Sequence, residues 1–235
     1  MKVKRASDFF SEEEKEKINN AVKAAESDTS GEIATMVVKA SDSYREAETL
    51  GAILIAGLLS FVVEVLLEYY AVNIGNNDWN SLRFSGMEFL LYGGSIWTFI
   101  PMVFVLFLPV RYLFKIYPAL KLPFAGKKRL EEAVRERAVR AFFEKRLYKT
   151  RDETGILIFI SLLERKVWIL GDRGVDKKIS HSVWQGLVKE LTRGIREGKA
   201  CEALSNVIYL IGIELGRHFP KRSDDVNELS DELLD

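Results

Sequence analysis

The chain is expected to fold as an α/β domain, a mixed sheet sandwiched by helices, interrupted by a two-helix transmembrane hairpin. Two observations carry this expectation. Ile33 to Val38, Gly155 to Ile160 and Lys166 to Leu170 are short β-favouring runs, and the segments around them place apolar residues at helical spacing. Thr49 to Leu67 and Phe89 to Val110 are long apolar stretches, and the second contains no charged residue. At about 1.5 Å rise per residue, a helix of about 22 residues covers roughly 33 Å, enough to cross a ~30 Å hydrocarbon core.

Taken in order, Ser11-Glu12-Glu13-Glu14 forms a capping box, and Ile18, Val22 and Ala25 continue it as one face of a helix to about Ser27. Thr29-Ser30-Gly31 breaks that helix before the first strand. The first span covers about 49–69 and the second about 89–110. Pro118 and Pro123 then forbid one unbroken helix out of the membrane. From about Lys127 to Arg146 a long amphipathic helix sets Leu130, Val134, Ala138, Ala141 and Phe142 against a charged opposite side. The next two strands, joined by Leu163-Glu164-Arg165, form a hairpin that ends in the Gly171-Asp172-Arg173-Gly174 turn. Helices at Ser182 to Arg193 and Glu202 to Phe219 complete the domain, and Pro220 stops the last. Its stretch Ala203 to Leu215 is too short for a third span.

The 235 residues include 34 basic and 34 acidic ones, and a net charge of zero argues against a nucleic-acid binder. Charges concentrate on either side of the apolar middle, leaving about 150 residues for one compact core. The organisation expected is 1–46, the first part of the domain; 47–116, the hairpin; 117–220, the second part; and 221–235, an acidic tail. Within it, Ser223 to Asp235 holds Asp224, Asp225, Glu228, Asp231, Glu232 and Asp235 with no base, the composition of a solvated, disordered segment. Met1 to Asn20 is charged and helical and does not read as a secretory signal. Arg111, Lys115, Lys121, Lys127, Lys128 and Arg129 follow the second span, whereas the loop Val72 to Glu88 has only Arg83 as a base. The positive-inside rule then puts both termini in the cytoplasm, the loop 72–88 outside, and the chain in an inner or plasma membrane. The single cysteine, Cys201, excludes an intramolecular disulfide and reads as a core residue.

Gly155-Ile156-Leu157-Ile158, the turn Glu164-Arg165-Lys166-Val167, the Gly171 to Gly174 turn, and Arg140 with Phe142-Phe143 together resemble the TPM domain, shared by thylakoid-lumen photosystem-repair proteins and an acetylcholine-receptor auxiliary protein. The capped first helix and Gly31-Glu32-Ile33 are similar to its opening, so the resemblance spans nearly the whole domain. It implies an α/β sandwich tethered to a membrane. It also implies weak acid phosphatase activity and calcium binding, as in some members, or assembly and repair of membrane complexes, as in others. The chain departs from the family in two ways. Its hairpin is inserted between the first strand and the long helix. Asp172-Arg173-Gly174-Val175-Asp176 stands where relatives read glycine, aromatic, glycine, leucine, glutamate.

Asp152, Glu153, Asp172 and Asp176 flank two neighbouring strands and are candidates to converge at one rim, where carboxylates and carbonyls would suit calcium. Asp172 and Asp176 equally suit a turn and a helix start, since their oxygens accept local amides. A phosphatase site would draw on Asp172, Asp176 and Arg173, with Arg165 or Arg173 on the phosphoryl oxygens. No glycine-rich phosphate loop or paired-metal spacing accompanies them. His181 and His218 lack a second histidine or cysteine at ligand spacing. Glu64 and Glu68 form a polar pair on one face near the outer end of the first span, for a cation path, an interhelical hydrogen bond or snorkelling beside Tyr69, Tyr70 and Trp79. Ala52, Ala56 and Ser60 make a small-residue stripe and Gly93-Gly94-Ser95 another, suited to close helix approach within the hairpin or to a partner. The function expected is a binding, scaffold or assembly module for membrane proteins, partnered by the bilayer and by a membrane protein or a second copy through the hairpin. A membrane-tethered, metal-dependent acid phosphatase is the alternative.

Overall fold

The computed structural model describes residues 6–75 and 96–222. The acidic tail, Trp79, Arg83, Gly93-Gly94-Ser95 and the start of the second expected span lie outside the described residues. The chain divides into two compact units. One is Tyr44–Gly126; the other takes the described residues before 44 and after 126.

The second of these is the α/β unit. Helix α1, Glu12–Glu26, opens on the capping box: Glu14 N donates to Ser11 Oγ at 3.2 Å and Ser11 N to Glu14 Oε2 at 2.8 Å. Strand β1, Glu32–Val38, pairs parallel with β2, Gly155–Ser161, which pairs antiparallel with β3, Lys166–Gly171. The order β1-β2-β3 makes a mixed sheet with β2 central. Every residue of β1 and β2 is buried, as an apolar run without alternation requires. One face, carrying Ala34, Met36, Val38, Leu157 and Phe159, packs on Val134, Ala138, Ala141 and Phe142 of the helix Lys127–Glu144. The other face, carrying Ile33, Val37, Ile156, Ile158 and Ile160, packs on α1 and on the helices His181–Arg196 and Ala200–His218. Burial of each such aliphatic side chain contributes roughly 1.5–3 kcal/mol, so the sheet is held from both sides. Cys201 is buried at the start of the last helix, and burial, with Glu14 nearby, pushes its thiol pKa up.

The hairpin turn is fastened to the end of β1. Glu164, buried, accepts from Ser41 N at 2.9 Å and from Ser161 Oγ, while Arg165 takes the left-handed φ of 53° that closes the turn. Thr29 Oγ1 donates to Phe219 O at 2.6 Å, Ser30 N to Phe219 O at 3.1 Å and Lys221 N to Asp28 O at 3.3 Å. The connection between α1 and β1 is therefore stitched to the residues that follow the last helix.

The other unit is helical. Helix α2 is Arg45–Gly75 and helix α3 is Ile96–Ile116; a 3₁₀ turn Pro118–Lys121 and a short helix α4, Leu122–Ala125, follow. Both long helices are long and apolar enough to cross a membrane, over Arg45–Leu67 and Phe99–Ile116. Helix α3 runs on to Ile116, past Val110 where the apolar stretch read as a span ends. Charges at Arg111 and Lys115 lower hydropathy without breaking a helix, whereas Pro118 restricts Tyr117, which leaves helical geometry at φ −119°, ψ 77°. Pro101 and Pro109 both lie inside α3. The stripe of Ala52, Ala56 and Ser60 is buried, with Ala52 against Val110 and Phe114, and Ser60 Oγ donating to Ala56 O at 2.8 Å. Gly51 packs so close to the rings of Phe114 and Phe124 that a Cβ would lie 2.8 Å from each.

Candidate functional site

The four acids expected to share one rim come from two turns that touch. In the α/β unit the long helix Lys127–Glu144 is α5, the short helix Arg173–Asp176 is α6, His181–Arg196 is α7 and Ala200–His218 is α8. Asp152 and Glu153 precede β2, and Asp172 follows β3. Asp172 N donates to Gly155 O at 2.9 Å, which fixes both turns at one end of the sheet. Gly174 N donates to Glu153 O at 3.1 Å. A side chain at 174 would meet the carbonyl oxygens of Asp152 and Glu153 at 2.6 and 2.7 Å, so glycine is what lets the turns lie this close. The first turn is tied down by Thr154, whose N donates to Thr150 Oγ1 at 2.9 Å and whose Oγ1 donates to Ser30 O at 3.0 Å.

The side chains on this frame have different occupations. Asp152 is held by the Arg222 guanidinium. Glu153, at φ 56°, is exposed. Asp172 caps α6, its Oδ1 accepting from Arg173 N at 2.8 Å, while its Oδ2 is buried with no hydrogen-bond partner among the described residues. Asp176 lies one helical turn on and leans on Gly171, where a Cβ would come within 3.1 Å of its Oδ1. Partial burial raises its carboxyl pKa above the ordinary range, the Asp172 charge adds to the rise, and His181 opposes it. Arg173 is exposed and in no ion pair among the described residues. Arg165 sits at the far end of β3, roughly 20 Å along the strand, and is not part of this rim. Among the described residues no group of three or more His, Cys, Asp or Glu is arranged to hold a metal ion.

The remaining candidates are scattered. His181 begins α7, where Trp184 is buried, and His218 ends α8 beside Arg217. Glu64 is half-buried on α2, and the Glu68 side chain lies outside the described residues. The sequence reading missed Arg222, which stands just before an acidic segment and reads as a linker base. Its place is set by the pairing of Thr29 with Pro220, a contact between residues 191 apart that no local pattern announces.

A raised carboxyl at Asp176 has a definite pH signature. Its protonated form is favoured in the fold, so its contribution is fully present below the unfolded-chain pKa and is lost as pH rises through the folded value. Asp176→Asn is expected to leave stability at pH 7 unchanged or slightly higher and to remove this fall between acid and neutral pH. Urea midpoints measured across that range, wild type against variant, check it; parallel profiles would refute it.

Residues 127–212 match the model of the TPM domain, a stretch from the start of α5 into α8 that contains both turns bearing Asp152 and Asp172. The chain carries a TPM domain. Helix α1 and strand β1 precede the matched stretch and complete its sheet and core, β1 by pairing with β2 over seven residues. The NMR structure of the BA42 protein from the psychrophilic bacterium Bizionia argentinensis is similar in fold, with a TM-score of 0.55 at 17% identity over 98% of this chain and 97% of that one. No curated protein matches the chain.

Proposed function

We propose that this protein is an integral membrane protein whose helices α2 and α3 cross the bilayer and hold its TPM domain at the surface as a non-enzymatic binding module for membrane proteins. The observation that carries this reading is the exposure of the two apolar helices. Only 22% of the first membrane-length window and 11% of the second are buried, and Phe104 and Leu108 stand 70% and 69% exposed. A core helix of a water-soluble domain buries such residues; lipid is the solvent that covers them without a protein neighbour. The bases from Arg111 to Arg129, set against Arg83 alone in the loop, favour a cytoplasmic domain. The loss of Asp152 to Arg222 favours binding over metal-dependent catalysis.

The rival is a membrane-tethered phosphatase using Asp152, Asp172, Asp176 and Arg173, with calcium held by the acids, and the buried, unpartnered Asp172 Oδ2 is what speaks for it. Two measurements test the proposal. The chain is expected to stay in the membrane pellet through high salt and alkaline carbonate and to leave only with detergent; release by carbonate would overturn the anchoring. The detergent-solubilised full chain is expected to show no hydrolysis of p-nitrophenyl phosphate with or without calcium, and calcium-dependent turnover abolished by Asp172→Asn would establish the rival.

A further inference from the structure

The two edges of the sheet are treated differently. Strand β1 is buried throughout, whereas five of the six residues of β3 are only partly buried. The bond from Asp172 N to Gly155 O fixes which residues of β3 face β2: with Ile156 opposite Gly171, the bonded positions are Lys166, Trp168, Leu170 and Asp172. The N–H and C=O groups of Val167, Ile169 and Gly171 therefore point away from the sheet. None of them takes a further backbone partner among the described residues.

A cleft of about 740 Å³ runs along the start of this edge, walled by α5 on one side and α7 on the other, with Val167 and Trp168 as its floor. Its charges are not balanced internally. Lys166 is bound to Glu131 at 2.8 Å and Lys128 to Glu132 at 3.8 Å, and Glu164 is engaged by Ser41 and Ser161. Arg135 from α5, Arg165 from the hairpin turn and Arg196 from α7 line the same cleft, and none is in an ion pair among the described residues. Bases along a bare edge also serve to repel other strands. Here, however, three guanidiniums surround a walled groove with open backbone groups along its floor.

We propose that this cleft docks an extended acidic peptide of a partner protein, which adds to β3 as a fourth strand. The peptide backbone pairs with Val167 and Ile169. Its alternating side chains reach Arg135 on the α5 side and Arg196 on the α7 side, and Arg165 receives a carboxylate at the end of the groove. This rests on the binding-module reading above and adds the chemistry of the partner.

The test uses the full chain in detergent micelles and a fluorescein-labelled peptide about eight residues long, in which adjacent pairs of glutamates alternate with pairs of valines so that both faces of the added strand carry carboxylates. Fluorescence anisotropy is expected to show saturable binding. The Arg135→Gln, Arg165→Gln, Arg196→Gln triple variant, checked for native circular dichroism, is expected to weaken it about tenfold or more. Arg165→Gln alone is expected to give part of that loss. The same peptide N-methylated on alternate amides is expected to bind about tenfold more weakly, because it cannot complete a ladder. Absence of binding, equal binding by the triple variant, or equal binding of the N-methylated peptide would each overturn the site. Failure here with carbonate-resistant membrane retention sinks the cleft alone, whereas carbonate release with peptide binding intact sinks the anchor alone.

Discussion

Replacing Gly155 with alanine is expected to cost the TPM domain about 3–5 kcal/mol, at or beyond the upper end for an overpacked core site and a large share of a typical domain's stability. The added Cβ would fall far inside van der Waals contact of Leu147 O. That atom is backbone, in the 3₁₀ turn Leu147–Lys149, and cannot swing aside as a side-chain tip can. Relief requires moving either the turn, whose Leu147 is buried in the α5-side core, or β2, which is paired on both edges. Shifting β2 at this end also disturbs the bond from Asp172 N to Gly155 O and, with it, the contact between the two acid-bearing turns. Urea unfolding of the full chain in mild detergent should show the circular-dichroism midpoint collapse, or the variant should fail to accumulate folded. Gly186→Ala, at an exposed position of α7 with nothing within 4 Å of its added Cβ, is the control and should stabilise by about 0.5–1 kcal/mol. A Gly155→Ala midpoint within error of wild type would refute the packing argument.

What the sequence made legible, and what it hid, follows the range of the forces involved. The run from Ile156 to Ile160 announces a strand buried on both faces because its chemistry is local, and β2 is that strand. The capping box at Ser11 and Glu14 is a four-residue signal and forms as expected. The adjacency of the turns at Asp152 and Asp172 follows from an antiparallel hairpin, so its backbone could be anticipated. What fills the carboxylates could not. Arg222 reaches Asp152 only because residues near 29 and 220 meet, and Gly174 matters only because two carbonyls lie against it. The cleft beside β3 was hidden for the same reason: Arg135, Arg165 and Arg196 come from three elements and read singly as solvated surface. The end of the second apolar helix, at Ile116, is not marked by hydropathy, which falls at Arg111, but by backbone hydrogen bonding, stopped by Pro118.

A second large effect is expected at Glu48. Its carboxylate is buried at 7% side-chain exposure and accepts from Lys121 Nζ at 2.7 Å and Arg111 Nε at 3.2 Å, joining α2, α3 and the 3₁₀ turn after α3. Lys121 is itself only 12% exposed, so this pair is desolvated, whereas Arg111, at 44%, keeps much of its hydration and its face on the Phe107 ring. Removing one member of a desolvated pair typically costs 3–5 kcal/mol, because the remaining charge keeps its burial and loses its counter-charge. Glu48→Ala is accordingly expected to destabilise the helical unit by about 3 kcal/mol, and Glu48→Gln, which keeps a hydrogen-bond acceptor but no charge, by less. Arg111→Ala should cost under about 1 kcal/mol, as exposed ion pairs do. Thermal midpoints of the full chain in detergent, with tryptic cleavage at Lys121 as a local readout, rank the three variants. Cleavage at Lys121 should accelerate in Glu48→Ala and remain slow in Arg111→Ala. If the arginine variant proved the more damaging, the weight assigned to the buried lysine pair would be wrong, and the surface partner would be the one holding the ends of the two helices together.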